Sequence, residues 1–93
     1  MLIPEKLISQ VIIFVSNLSA AQAEKTYELL FGAQENNWGY LRLVLRTGLP
    51  LDFHWHTNQL IDVWEREFPD VSPQCVAFAV LSAHRASSQV HNQ

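Results

Sequence analysis

Ninety-three residues, 48% of them apolar, ten aromatic and 16% charged, are enough for one domain with its own core and exclude a largely disordered chain. A net charge of −3, with six Lys and Arg spread along the chain, excludes the basic footprint that phosphate backbones require, so nucleic acid is not an expected partner. The single cysteine, Cys75, excludes an internal disulfide framework; Met1 to Leu7 lacks a signal-peptide pattern and no apolar run reaches the roughly 20 residues of a bilayer span, so the expectation is a cytoplasmic protein with no membrane partner.

Residues 1–93 read as a single domain. Ile8 to Ser16 (ISQVIIFVS) is rich in β-branched and aromatic side chains and continuously apolar, which predicts a buried strand. Asn17 or Ser19 can cap the next segment, and Gln22 three residues after Ser19 completes a capping-box pattern. The spacing of Ala20, Ala23, Tyr27, Leu30 and Phe31 predicts a helix over Leu18 to Phe31, with Gly32 as a left-handed stop.

After a polar break at Glu35, Asn36 and Asn37, the segment Trp38 to Arg46 alternates. Leu41, Leu43 and Leu45 fall on one side and Tyr40, Arg42, Val44 and Arg46 on the other, which predicts a strand. Thr47-Gly48-Leu49-Pro50 makes a tight connection into Leu51 to His56, a second alternating run with Leu51, Phe53 and Trp55 on one face and Asp52, His54 and His56 on the other. Thr57 to Phe68 carries a Thr cap and Leu60, Ile61, Trp64 and Phe68 at helical spacing. Pro69 to Pro73 breaks the chain, Gln74 to Leu81 reads as another buried strand, and the polar tail from Ser82 to Gln93 is expected to fray after a short helical turn. Gln10 to Val15 aligns with Cys75 to Val80, each a strand-like run leading into a Ser/Ala-rich segment, which suggests an internal repeat.

QVIIFVSNLSAAQAEKTYELLFG, Gln10 to Gly32, resembles the opening strand and helix of the vicinal oxygen chelate superfamily, the glyoxalase, bleomycin-resistance and extradiol-dioxygenase proteins. Gln10, Asn17, Tyr27, Phe31 and Gly32 are the matching positions, with Thr26 where an aromatic is usual. Trp38 to His56 is similar to that family's later strands, and PQCVAFAVLSAHRA to the opening of a second module that stops after its first strand. The resemblance implies an α+β fold: a βαβββ module over 8–56, a helical connection over 57–73 and a truncated second module over 74–93, completed by homodimerisation around a cleft. The same element order also permits a ferredoxin-like βαββαβ fold.

Asp52, His54 and His56 would share one strand face, but same-face neighbours sit roughly 6–7 Å apart, so other strands must complete a metal site. The resemblance places Gln10 at the first-ligand position, Asp52 at that of a strand-borne carboxylate and Cys75 where a second module brings a histidine. It thereby implies one divalent metal ion on Gln10, Asp52 and His54. Imidazole is a side chain suited to general-base work, which makes His54 and His56 candidates for it, and in the cupped fold Tyr40 and Arg42 would face the cleft, Arg42 able to hold a carboxylate or phosphate bidentately. The plain alternative is that Asp52, His54 and His56 are the solvated side of an edge strand. The expectation is a small-molecule-binding homodimer whose ligand touches Gln10, Tyr40, Arg42, His54 and His56. Its alternatives are a metal-dependent lyase, isomerase or dioxygenase of the same superfamily and a truncated interaction or vestigial domain without ligand.

Overall fold

Both runs that read as buried strands at the two ends of the chain, Ile8–Ser16 and Gln74–Leu81, lie in helices. The computed structural model describes residues 3–16, 18–47 and 49–91, and among them there is no strand. Five helices account for the fold: α1 (Glu5–Val15), α2 (Ala20–Phe31), α3 (Trp38–Arg46), α4 (His54–Glu67) and α5 (Pro73–His91), with a single 3-10 turn, Leu51–Phe53, leading into α4. The α+β expectation is therefore corrected in both its forms. Neither the glyoxalase-like βαβββ module nor the ferredoxin-like alternative can be built without a sheet.

The reasons are local. In α1 the buried residues are Leu7, Val11, Phe14 and Val15, spaced one helical turn apart, while Ile8, Ile12 and Ile13 stay exposed. An apolar run that fills more than one helix face looks, by composition, like a strand buried on both sides. In α3 the leucine alternation misleads for a different reason: Leu41 and Leu45 are four apart, which satisfies a period of two and a period of 3.6 alike. Val44 and Leu43 decide between them, and it is Val44 that is buried while Leu43 is 63% exposed.

Helix-start signals sat inside segments read as breaks. The Asn37 side chain accepts the Tyr40 amide at 3.1 Å and opens α3. Pro73 is the first residue of α5, where a missing N–H costs nothing, and Ser72 Oγ accepts the Cys75 amide at 3.2 Å. α5 then runs through the segment expected to fray. α4 begins at His54 rather than Thr57, so Thr57 is not a cap but a fully buried position inside the helix.

α2 forms as expected. Ser19 and Gln22 make a reciprocal capping box, with Gln22 N to Ser19 Oγ at 3.2 Å and Ser19 N to Gln22 Oε1 at 2.9 Å. Asn17, the other cap considered, and Gly48 of the Thr47–Pro50 connection lie outside the described residues. Gly32 ends the helix at φ −81°, a right-handed conformation, so the left-handed stop is corrected. What holds the end of α2 is Gln74, whose Nε2 donates to the carbonyls of Phe31, at 2.9 Å, and Ala33.

The helices pack in a closed cyclic order, α1 on α4, α4 on α3, α3 on α2, α2 on α5 and α5 back on α1. Leu7, Val11 and Phe14 of α1, Leu30 of α2, Leu41 and Leu45 of α3, Leu60, Ile61 and Trp64 of α4, and Val76 and Val80 of α5 meet inside that ring. Each such side chain contributes about 1.5–3 kcal/mol on burial, before chain entropy is set against it. The Trp64 ring also stands edge-on to Trp38, centroids 5.4 Å apart.

Candidate functional site

The residues singled out as a ligand cluster are distributed over four elements. Gln10 is half-buried on α1, Tyr40 and Arg42 are on α3, Asp52 is exposed in the 3-10 turn, and His54 and His56 open α4. The common face on which Asp52, His54 and His56 were to converge required a strand, and in a helix His54 and His56 are two residues and about 200° apart. Among the described residues no group of three His, Cys, Asp or Glu side chains is placed to hold a metal ion. Cys75 sits in the first turn of α5, partly buried.

Arg42 has partners of its own. Its guanidinium donates to Asn58 Oδ1 at 3.1 Å, Asp62 Oδ1 at 2.5 Å and Glu65 Oε1 at 3.4 Å, and Arg46 shares the Asn58 oxygen at 3.2 Å. Three acceptors one turn apart on α4 thus spend the fork that was to hold an anion, and the arrangement fastens α3 to α4. His56 stands against Phe53 and Trp55, with ring centroids at 5.8 and 5.1 Å.

The surface that stands out lies elsewhere, on the outer side of the α1–α5 seam. A groove of about 530 Å³ runs between the two helices, lined by Ile8, Val11 and Ile12 of α1 and by Ala79, Ser82, Ala83, Ala86 and Ser87 of α5. Its floor is shallow because α5 offers alanines at 79, 83 and 86, one or two turns apart, and its wall is high because Ile8 and Ile12, a full turn apart, project beyond the core face of α1. Ile12 is 51% exposed. A second depression continues from it across Ile3, Cys75 and Ala79 to Phe78.

Phe78 belongs to an aromatic trio with Tyr27 and Phe31 of α2, all three centroid separations falling between 5.6 and 5.7 Å. Phe31 is 46% and Phe78 53% exposed. Phe78 meets the other two rings edge-on while Tyr27 and Phe31 stack, and the trio stays open to solvent. None of the residues lining the groove or the adjoining depression is charged. A different depression between α2 and α5, about 470 Å³, carries charge: Glu24 and Glu28 face His84 and Arg85 across it. The His84 ring nitrogen lies 3.3 Å from the Leu18 carbonyl, which ties α5 to the connection before α2.

The sequence carried a signal for the groove. Six apolar residues in the eight from Ile8 to Val15 are more than one core-facing stripe can bury, and Ala79, Ala83 and Ala86 are a small-residue row at helical spacing. Both become legible only once these runs are taken as helices. No helix among the described residues is long and apolar enough to cross a membrane. No family model, no curated protein and no solved structure matches this chain.

Proposed function

We propose that the chain is a helical protein-interaction module that docks through the α1–α5 groove onto a complementary apolar helical surface. The observation that carries this reading is the second apolar stripe of α1: Ile8 and Ile12 add nothing to the core yet stand in register over a trough of alanines. Exposed β-branched side chains at successive turns cost solubility, and only 16% of the residues are charged to offset them. Covering them with another helix converts that cost into binding free energy, at roughly 25 cal/mol per Å² removed from water.

A protein surface fits this groove better than a small molecule does. Ligand sites bury most of their ligand's surface and fix it with a few convergent polar groups, whereas here the wall is one-sided and the polar side chains in the lining are the hydroxyls of Ser82 and Ser87. A helix laid in the trough, by contrast, needs contacts along one stripe only.

The test is site-specific photocrosslinking in cells, with a photoreactive phenylalanine replacing Ile12 or Phe78 on the groove side and Arg66 on α4 as the control. Protein adducts at positions 12 and 78, with none at 66, are the expected result. Adducts absent from all three, in a chain that retains its helical circular dichroism, overturn the reading.

A further inference from the structure

We infer that the partner on the α1–α5 face is a second copy of this chain, joined in an isologous dimer whose two-fold axis crosses α5. The inference rests on the interaction-module reading and adds the identity of the occupant.

Size argues for it first. The exposed parts of Ile8, Ile12, Phe31 and Phe78, 38% to 53% of each, amount to about 400 Å² at roughly 200 Å² per whole residue, and the alanines and Cys75 between them extend this patch into the upper range for a monomer's largest. A standard interface takes about 800 Å² from each partner, somewhat more than half of it apolar, so two such faces supply what a stable dimer needs.

Shape is the second argument. One face carries both a ridge, Ile8 and Ile12, and a trough, Ala79, Ala83 and Ala86. A two-fold axis crossing α5 sets the two alanine rows against each other and lays the Ile8–Ile12 ridge of each copy along the flank of the other's α5, because an isologous contact pairs residue i with j and j with i. The alanines let the two α5 helices approach antiparallel at close range, and the isoleucines fill the space left beside them.

Charge agrees. A chain carrying −3 repels its own copy at long range, and a self-association face must therefore exclude the charged groups. The groove lining contains none, and the acidic Glu24 and Glu28 are kept to the α2–α5 depression.

The experiment is sedimentation equilibrium on the full chain from about 1 to 100 µM, with Ile12→Glu and Ala83→Glu as variants and circular dichroism as the check on folding. Ile12 is exposed on the groove wall and Ala83 packs at the core's edge, so circular dichroism separates a lost dimer from a lost fold. The expected result is twice the chain mass of 10.6 kDa for the unaltered protein, and a dissociation constant at least about 100-fold weaker in each variant. A mass of 10.6 kDa throughout the range overturns the inference, as does a dimer that both variants leave intact. The two failures separate cleanly: a monomer that still yields heterologous crosslinks from positions 12 and 78 keeps the module and loses the symmetric partner, whereas a monomer without crosslinks loses both.

Discussion

The indole N–H of Trp64 donates to the main-chain carbonyl of Val71 at 2.8 Å, and the same carbonyl accepts from Asn36 Nδ2 at 3.0 Å. One backbone oxygen thus joins α4, the connection before α3 and the turn before α5. Asn36 strengthens the joint by donating to the Pro69 carbonyl as well, at 2.6 Å. Trp64→Phe is expected to cost about 2 kcal/mol, mostly from the space the smaller ring leaves, because Asn36 still satisfies the oxygen. Asn36→Ala alone should cost less. Combined, the two orphan a buried carbonyl, and urea unfolding should show a loss exceeding the sum of the single losses by about 1 kcal/mol.

Thr57 is fully buried in α4 and its Oγ1 finds no hydrogen-bond partner among the described residues. Valine matches its shape and removes the unpaired hydroxyl. Thr57→Val should therefore stabilise the protein by about 1 kcal/mol, read as a higher urea midpoint with an unchanged slope. A destabilised variant would mean that the hydroxyl is satisfied.

Ser19→Ala removes the acceptor for the Gln22 amide and leaves the Gln22 side chain with half of a reciprocal pair. The cost should be about 1 kcal/mol. Hydrogen exchange should locate it, with the amides of the first turn of α2 losing protection before those around Leu30.

Arg42→Met keeps most of the side-chain stem and removes every bond to Asn58, Asp62 and Glu65. Because these partners are partly solvated, the expected loss is about 1 kcal/mol rather than the larger figure for a buried network. Raising the salt to about 1 M should shrink the difference from the unaltered protein.

Glu67 gives the pH dependence a sign. The hydrogen bond from Lys6, 2.7 Å away, and next the one from Arg66 at 3.1 Å hold its carboxyl below the usual carboxylate range. A depressed folded-state pKa means a stabilising contribution that is complete above the unfolded-state value and fades as the pH falls through the folded one. The contribution is small because the pair is exposed. Glu67→Gln should flatten the acid limb of a melting-temperature profile and leave the neutral region nearly unchanged; a profile altered equally at pH 4 and pH 7 would sink the assignment.

How much of this was readable from residues alone varies along the chain. The Ser19–Gln22 box and α2 were legible because a cap and a 3.6-residue period agreed, and most of α4 was legible from its period alone, since Thr57 is not its cap. α1 and α5 were not, since a helix with two apolar faces and a strand with two buried sides have the same composition. α3 is obscured by a coincidence of periods, and the polar break before it and the proline break before α5 hold their start signals, the Asn37 cap and Pro73 as first residue. The candidate cluster of Asp52, His54 and His56 inherited the strand error. The groove needed tertiary information in any case, for nothing local says that residue 12 will stand beside residue 83.

That pairing of early and late residues ties assembly to the stability of the domain. Among the five seams of the ring, α1–α5 joins the helices farthest apart in sequence, so closing it fixes the longest loop. Opening it would erase the groove while α2, α3 and α4 still hold each other. A binder spanning both helices acts as a clasp, withdrawing the opened form from the equilibrium, and melting should shift upward with protein concentration as occupancy rises.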